Sequence, residues 1–206
     1  MRRAAQLLCS LALVTLPLTS GCGGDEEEPE EGGLTTNLRG IYSIDTWTDN
    51  QAGCDAEGAS VLEMMSDKKL GIKMTSFFGV DILVAVPCAD PTDCAESADA
   101  GFFGIFGGAA LFGEGSDAAG WFGDGSSHSV TDGVCEGNYF TQRMEVIGDK
   151  RVKVETKTFS TTFPAESSAG DSECPLESAK KAAEGQPCKT LAVITATFEQ
   201  PLADPP

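Results

Sequence analysis

Positive charge is scarce in this chain. Fourteen Lys and Arg stand against 32 Asp and Glu in 206 residues, a formal charge of −18. Between Lys73 and Arg143 there is neither Lys nor Arg, so no side-chain phosphate clamp can come from that stretch. Nucleic acid is therefore a poor partner, because its backbone is held by Lys and Arg. Histidine is scarcer still: His128 stands alone. A serine triad would have to use it with Ser126, Ser127 or Ser129 and an orienting carboxylate, Asp124 or Asp132. No Gly-x-Ser-x-Gly accompanies it, so His128 reads as a bystander in a loop rich in Gly and Ser, and the chain reads as no enzyme. Cys-x-x-Cys is absent, which argues against zinc. Gly-x-G-x-x-Gly and Gly-Lys-Ser/Thr are absent too, which leaves no nucleotide signal and implies no cofactor. No apolar run reaches the ~20 residues of a spanning helix.

What is present begins with Met1-Arg2-Arg3, a short basic start, followed by an uncharged run from Ala4 to Ser20 that Pro17 interrupts. This is the order of a signal peptide. Leu18-Thr19-Ser20-Gly21-Cys22 resembles a bacterial lipobox, with Thr19 where that family usually has Leu. The resemblance implies cleavage before Cys22, lipidation of Cys22 and a bilayer partner. It places the protein in the bacterial cell envelope, on the outer membrane, facing the periplasm or the surface. Removing residues 1–21 leaves 12 basic and 32 acidic residues, a charge of −20. Residues 22–33 then form a tether: Gly23 to Gly33 has six acidic side chains, flanking glycines and no apolar residue, which favours an extended flexible chain. Residues 34–206 are long enough for one domain with a real core.

Eight cysteines occur; Cys9 leaves with the signal and Cys22 takes lipid, so six remain. An even set in an exported chain reads as disulfides. Six cysteines allow 15 connectivities. Sequence proximity pairs Cys88 with Cys94 across Pro91. Cys174 and Cys188 bracket a short helix at Pro175–Glu184 and pair if the chain reverses at Gly185. Cys54 is then left with Cys135.

The domain reads as all-β, a single antiparallel barrel or sandwich of about 7–8 strands with one short helix in an insertion. Strands are expected at 40–48, 60–66, 71–78, 80–86 and 190–199; 102–106 and 109–112 could form strands, weakened by the glycines of that region. The clearest signal is a hairpin, 139–147 with 151–159, in which Val152, Val154, Thr156 and Thr158 alternate with Arg151, Lys153, Glu155 and Lys157. That period of two puts one face inward and one in water. Residues 113–133 read as a long loop carrying Trp121-Phe122. The acidic loop at Asp90, Asp93, Glu96 and Asp99, and Gly113-Glu114-Gly115-Ser116-Asp117, which resembles one partial repeat-in-toxin nonapeptide, could offer oxygens to calcium. Solvated acidic loops explain both better, so no metal is expected. Gly40-Ile41-Tyr42, the size and the closing strand resemble a lipocalin or other calycin. Tyr42 stands where that family has Trp, and Gly133 follows Thr131-Asp132 where it has Tyr, so the resemblance implies architecture and no ligand residues.

The functional expectation is a membrane-anchored binding module for a small apolar ligand in a barrel cavity, with Trp121 and Phe122 as candidate ligand residues at its mouth. The alternative is a non-enzymatic protein that contacts another envelope protein. For the anchor, Cys22→Ala is expected to abolish palmitate labelling and to move the protein from the membrane to the soluble fraction; a variant that stays labelled and sedimentable would discard the lipobox.

Overall fold

The computed structural model describes residues 36–55, 57–77, 79–99, 110–168 and 171–202. Chain contacts separate Met1–Gly32 from Gly33–Pro206, and the described residues all belong to the second unit. The signal, Cys22, the tether and the strand expected at 102–106 lie outside the described residues.

The fold is mostly antiparallel β. The wall begins with β1 (Gly40–Asn50), followed by the two-residue β2 (Ala59–Ser60), β3 (Lys69–Phe77) and β4 (Val80–Cys88). Helix α1 (Pro91–Asp99) comes next, then β5 (Ala110–Phe112), β6 (Glu114–Ser116), β7 (Gly120–Thr131), β8 (Val134–Gly148) and β9 (Arg151–Pro164). A small hairpin of β10 (Glu166–Ser168) and β11 (Asp171–Glu173) precedes helix α2 (Leu176–Ala183), and β12 (Thr190–Gln200) ends the wall. The sheet order is β5-β4-β3-β1-β12-β9-β8-β7-β6, with β2 also on β1. Each long strand thus lies beside its neighbours in sequence, and the last pairs with the first. The result is a barrel-like, nearly closed sheet.

Its interior follows from strand alternation. Tyr42 and Ile44 of β1, Leu70 and Ile72 of β3, and Leu83 and Ala85 of β4 enter one buried cluster. Ala110, Phe112, Trp121, Met144, Val152, Val154, Ile194 and Ala196 complete it. Eight strands, β1, β3, β4, β5, β7, β8, β9 and β12, contribute to this one cluster on the inner face. The expected β8–β9 hairpin is present and longer than its alternation suggested, with Val152 and Val154 buried and Arg151 exposed.

Closure is unusual. β5 pairs with β4, β6 pairs with β7, and Gly113 alone separates β5 from β6. At Gly123 of β7 a Cβ would lie 1.7 Å from the Leu111 carbonyl oxygen, so β5 meets β7 by backbone contact that only glycine permits. The Leu111 N–H donates to Gln142 Oε1 on β8 at 2.9 Å. A side chain therefore holds the seam where a ladder is lacking. At the other side of the seam, Asp117 in the β6–β7 turn accepts from Trp121 Nε1 at 3.0 Å, Thr36 Oγ1 at 2.6 Å and the Asn37 N–H at 2.8 Å.

Several expectations are corrected. The described sheet has ten strands, not seven or eight; the unexpected ones are β2 and β6, of two and three residues and too short to carry a period, and the twelve-residue β7, whose Gly and Ser content resembles a loop. Residues 60–66 hold a 3₁₀ turn at Leu62–Met64 instead of a strand. The acidic stretch after Cys88 is α1, not a loop: Asp90 Oδ1 accepts from the Thr92 and Asp93 N–H groups at 2.8 and 3.0 Å. Pro91 occupies the first helical position, where its missing N–H costs nothing. Among the described residues there are thus two α-helices, where one was expected. The expected loop at 113–133 is β6 and β7.

Cys88 pairs with Cys94 as expected, Cα to Cα 5.0 Å. The other two pairs differ: Cys54 joins Cys188 (5.6 Å) and Cys135 joins Cys174 (5.8 Å), in place of Cys174–Cys188 and Cys54–Cys135. The reason is strand order. Asn50 of β1 pairs with Leu191 of β12, which brings the residues just past β1 beside those just before β12. Cys174, ahead of α2, instead lies against β8 with Tyr139 and Phe163.

The seam contact can be tested directly. Gly123→Ala is expected to cost roughly 1–3 kcal/mol by overpacking against Leu111, read from the urea midpoint. Gly113→Ala, where a new Cβ meets nothing within 4 Å, should be near neutral. Equal effects would remove the seam contact from the account.

Candidate functional site

A groove of about 820 Å³ follows the seam. Its apolar side is Ile82 of β4, Leu111 of β5 and Phe122 of β7. Its polar side is Glu114, Asp124, Tyr139, Thr141, Gln142 and, from α2, Lys180. Register explains the grouping: Phe122 faces Arg143 and Asp124 faces Thr141 across the β7–β8 ladder, on the face opposite the Trp121–Met144 pair that enters the core. The groove therefore lies on the outer wall and not on the barrel axis. Helix α2 forms its rim by burying Ala179 and Ala183 against Tyr139 and Phe163, beside the Cys135–Cys174 bridge.

Three polar groups converge there. Tyr139 Oη donates to Asp124 Oδ2 at 2.7 Å, and Lys180 Nζ lies 3.5 Å from the same oxygen. Burial, then the hydrogen bond and charge of Asp124, then the charge of Glu177, push the Tyr139 phenol well above its ordinary range. The phenol stays neutral and serves as a donor. Arg143 lies over the Phe122 ring, 5.3 Å from its centroid, and pairs with Glu145. A smaller pocket of about 300 Å³ at the β6–β7 turn is lined by Asp117, Arg143 and Glu145 among others.

The sequence candidates separate. Trp121 is 1% exposed and belongs to the core, with its indole N–H on Asp117; it is neither in a loop nor at a mouth. Phe122 reaches the groove. His128 sits on β7, its Nε2 2.7 Å from Thr161 Oγ1 and its ring 4.9 Å from that of Phe163. Nδ1 is buried without a partner, and burial pushes the imidazole pKa down. Protonation would strand an N–H there, so the ring acts as a neutral packing element. Asp124 is engaged by Tyr139 and Lys180, and Asp132 (φ 50°) with Gly133 (φ 76°) makes the tight β7–β8 turn. Ser129 Oγ donates to the Glu136 carbonyl. Asp90 and Asp93 cap α1, and Asp117 holds the seam, so these carboxylates have structural work. Among the described residues no group of three or more His, Cys, Asp or Glu is placed to hold a metal ion. Asp124 was considered only as a partner of His128, and Tyr139 and Lys180 carry no signal in the sequence; Asp124 and Tyr139 lie on neighbouring strands, 56 and 41 positions from Lys180, and the register and the docking of α2 unite the three.

No protein-family model matches the chain, no curated protein matches it, and no solved structure matches it.

The two tyrosines, Tyr42 and Tyr139, provide a pH test. Burial and then the charge of Asp117 push Tyr42 up to about 12 from 10.0, and Tyr139 moves the same way. Above pH 10 the unfolded chain loses phenolic protons that the folded chain keeps. The stability these groups contribute is therefore full below about 10 and declines as pH rises toward their folded values. Phenolate absorbance at 295 nm should stay flat through pH 10 and appear together with loss of near-UV circular dichroism. A rise centred at 10 with the fold intact would contradict the assignment.

Proposed function

We propose that this chain is a lipid-anchored protein of the bacterial cell envelope whose β domain binds another envelope protein and does no chemistry. A continuous apolar cluster on the inner face of the sheet supports this reading. It receives buried side chains from eight of the sheet strands, whereas a container for an apolar ligand needs open volume in that place. The features able to recognise a partner lie on the outer wall, where the groove joins an apolar side to Asp124, Tyr139 and Lys180. Pairing of Cys54, Cys88, Cys94, Cys135, Cys174 and Cys188 supports an oxidising compartment. The lipobox resemblance supports outer-membrane anchoring through Cys22. Among the described residues no helix is long and apolar enough to cross a membrane, which is silent about strands.

A small apolar ligand remains the second reading, favoured by Ile82, Leu111 and Phe122 in the groove. Such a ligand would sit at the seam and not on the barrel axis.

A photoreactive benzoylphenylalanine in place of Phe122, in the full-length protein in its own membrane, separates the two. Adducts of several kilodaltons are expected. An adduct of a few hundred daltons would replace the first reading with the second, and no adduct at all would count against both.

A further inference from the structure

Among the described residues, β7 is paired on both edges only at its start. β6 covers Gly120 to Phe122, and among the described residues no strand lies against this edge from Asp124 to Thr131. Which groups are unpaired follows from the turn. Asp132 and Gly133 both have positive φ and close a two-residue hairpin in which Thr131 faces Val134. In such a hairpin the flanking residues exchange hydrogen bonds, and the bonded pairs then recur at every second residue. Thr131, Ser129, Ser127 and Gly125 therefore bond to β8. The N–H and C=O groups of Asp124, Ser126, His128 and Val130 point away from it.

An edge of this kind is a template for another strand, and proteins normally blunt it with Lys, Pro, charge or a bulge. Asp124 to Thr131 contains no Lys, Arg, Glu or Pro, its one charge is Asp124, whose carboxylate is engaged by Tyr139 and Lys180, and the β7–β8 register runs without a bulge. Ser127, Ser129, Val130 and Thr131 are exposed. The edge also opens onto the groove, since Phe122, Gly123 and Asp124 line it.

We propose that the β7 edge is a strand-addition site for an extended, basic segment of a partner protein with apolar side chains at alternate positions. The proposal rests on the interaction reading above and names the surface and the partner's chemistry. Backbone pairing would supply affinity, and the groove would take an apolar side chain. Charge selects the occupant. Glu114 and Asp124 line the groove, the one cation among its described lining residues, Lys180, is already paired with Asp124, and neither Lys nor Arg occurs between Lys73 and Arg143. A second copy of this chain, at −18 overall, meets repulsion where a basic strand meets attraction.

Amide hydrogen exchange resolved by residue, on the full-length protein in detergent, tests this with two synthetic nonapeptides, one alternating Val with Lys and one alternating Val with Glu. Without peptide, the Asp124, Ser126, His128 and Val130 amides should exchange at least tenfold faster than those of Ser127 and Ser129. The Lys peptide should slow the first set at least tenfold, and the Glu peptide should not. Ser126→Pro removes an outward N–H and should weaken binding of the Lys peptide about tenfold or more. Asp124→Asn with Glu114→Gln, which leaves the backbone untouched, should remove the preference for Lys over Glu even if the proline variant misfolds. Slow exchange before any peptide is added would mean that the edge is occupied within the chain, and would overturn the proposal. Equal protection by both peptides, or by neither, would also overturn it. Kilodalton adducts from position 122 without peptide protection on β7 would keep the interaction reading and discard this site.

Discussion

At position 123 a carbonyl oxygen occupies the space in which every residue but glycine carries its Cβ. That contact between Leu111 and Gly123 sets how the barrel ends. Because β5 reaches β7 backbone to face, the two strands cannot form a ladder there. The chain then turns at Gly113 and makes only a three-residue ladder, β6 on β7. The groove and the Gln142 bond to Leu111 follow from a wall joined by contact and not by continuous hydrogen bonding, and among the described residues no strand covers β7 from Asp124 to Thr131.

The interior and the outer layers divide the work. Apolar side chains from eight strands form one buried cluster on the inner face, and the three disulfides lie outside that cluster. The disulfides fasten what lies outside or at the ends. Cys88–Cys94 ties α1 to β4, Cys135–Cys174 ties the segment before α2 to β8, and Cys54–Cys188 joins the chain beyond β1 to the chain before β12. Polar groups with unusual surroundings, Tyr139 with Asp124 and Lys180, consequently sit between the wall and these covers.

The β8–β9 hairpin was legible because Arg151 to Thr158 alternates cleanly, one face charged and one apolar. β7 was not, because a strand of Gly, Ser and Thr on a sheet edge has no apolar face to set its period, and its composition matches a loop. Helix α1 had a readable start in Asp90-Pro91, with Asp93 in the first turn; the nearby Cys88–Cys94 pair, read as a tight turn, obscured it. Two of the three bridges were misassigned because proximity in sequence was weighed without the pairing of first and last strands. Of the candidate site, Phe122 was found by its aromatic character alone. Asp124, Tyr139 and Lys180 depend on register and on how α2 docks, which local pattern does not encode.

The carboxylate of Asp117 gives the molecule a mechanical order of events. A pull applied ahead of Thr36 first meets two hydrogen bonds to one side chain. Behind them lies β1, laced along one edge to β12 and, from Gly40 to Ser43, along the other to β3. Load along that strand's axis falls on many ladder bonds at once and not on one after another. A domain held from its amino end would thus yield a short slack at Asp117 and then resist in shear.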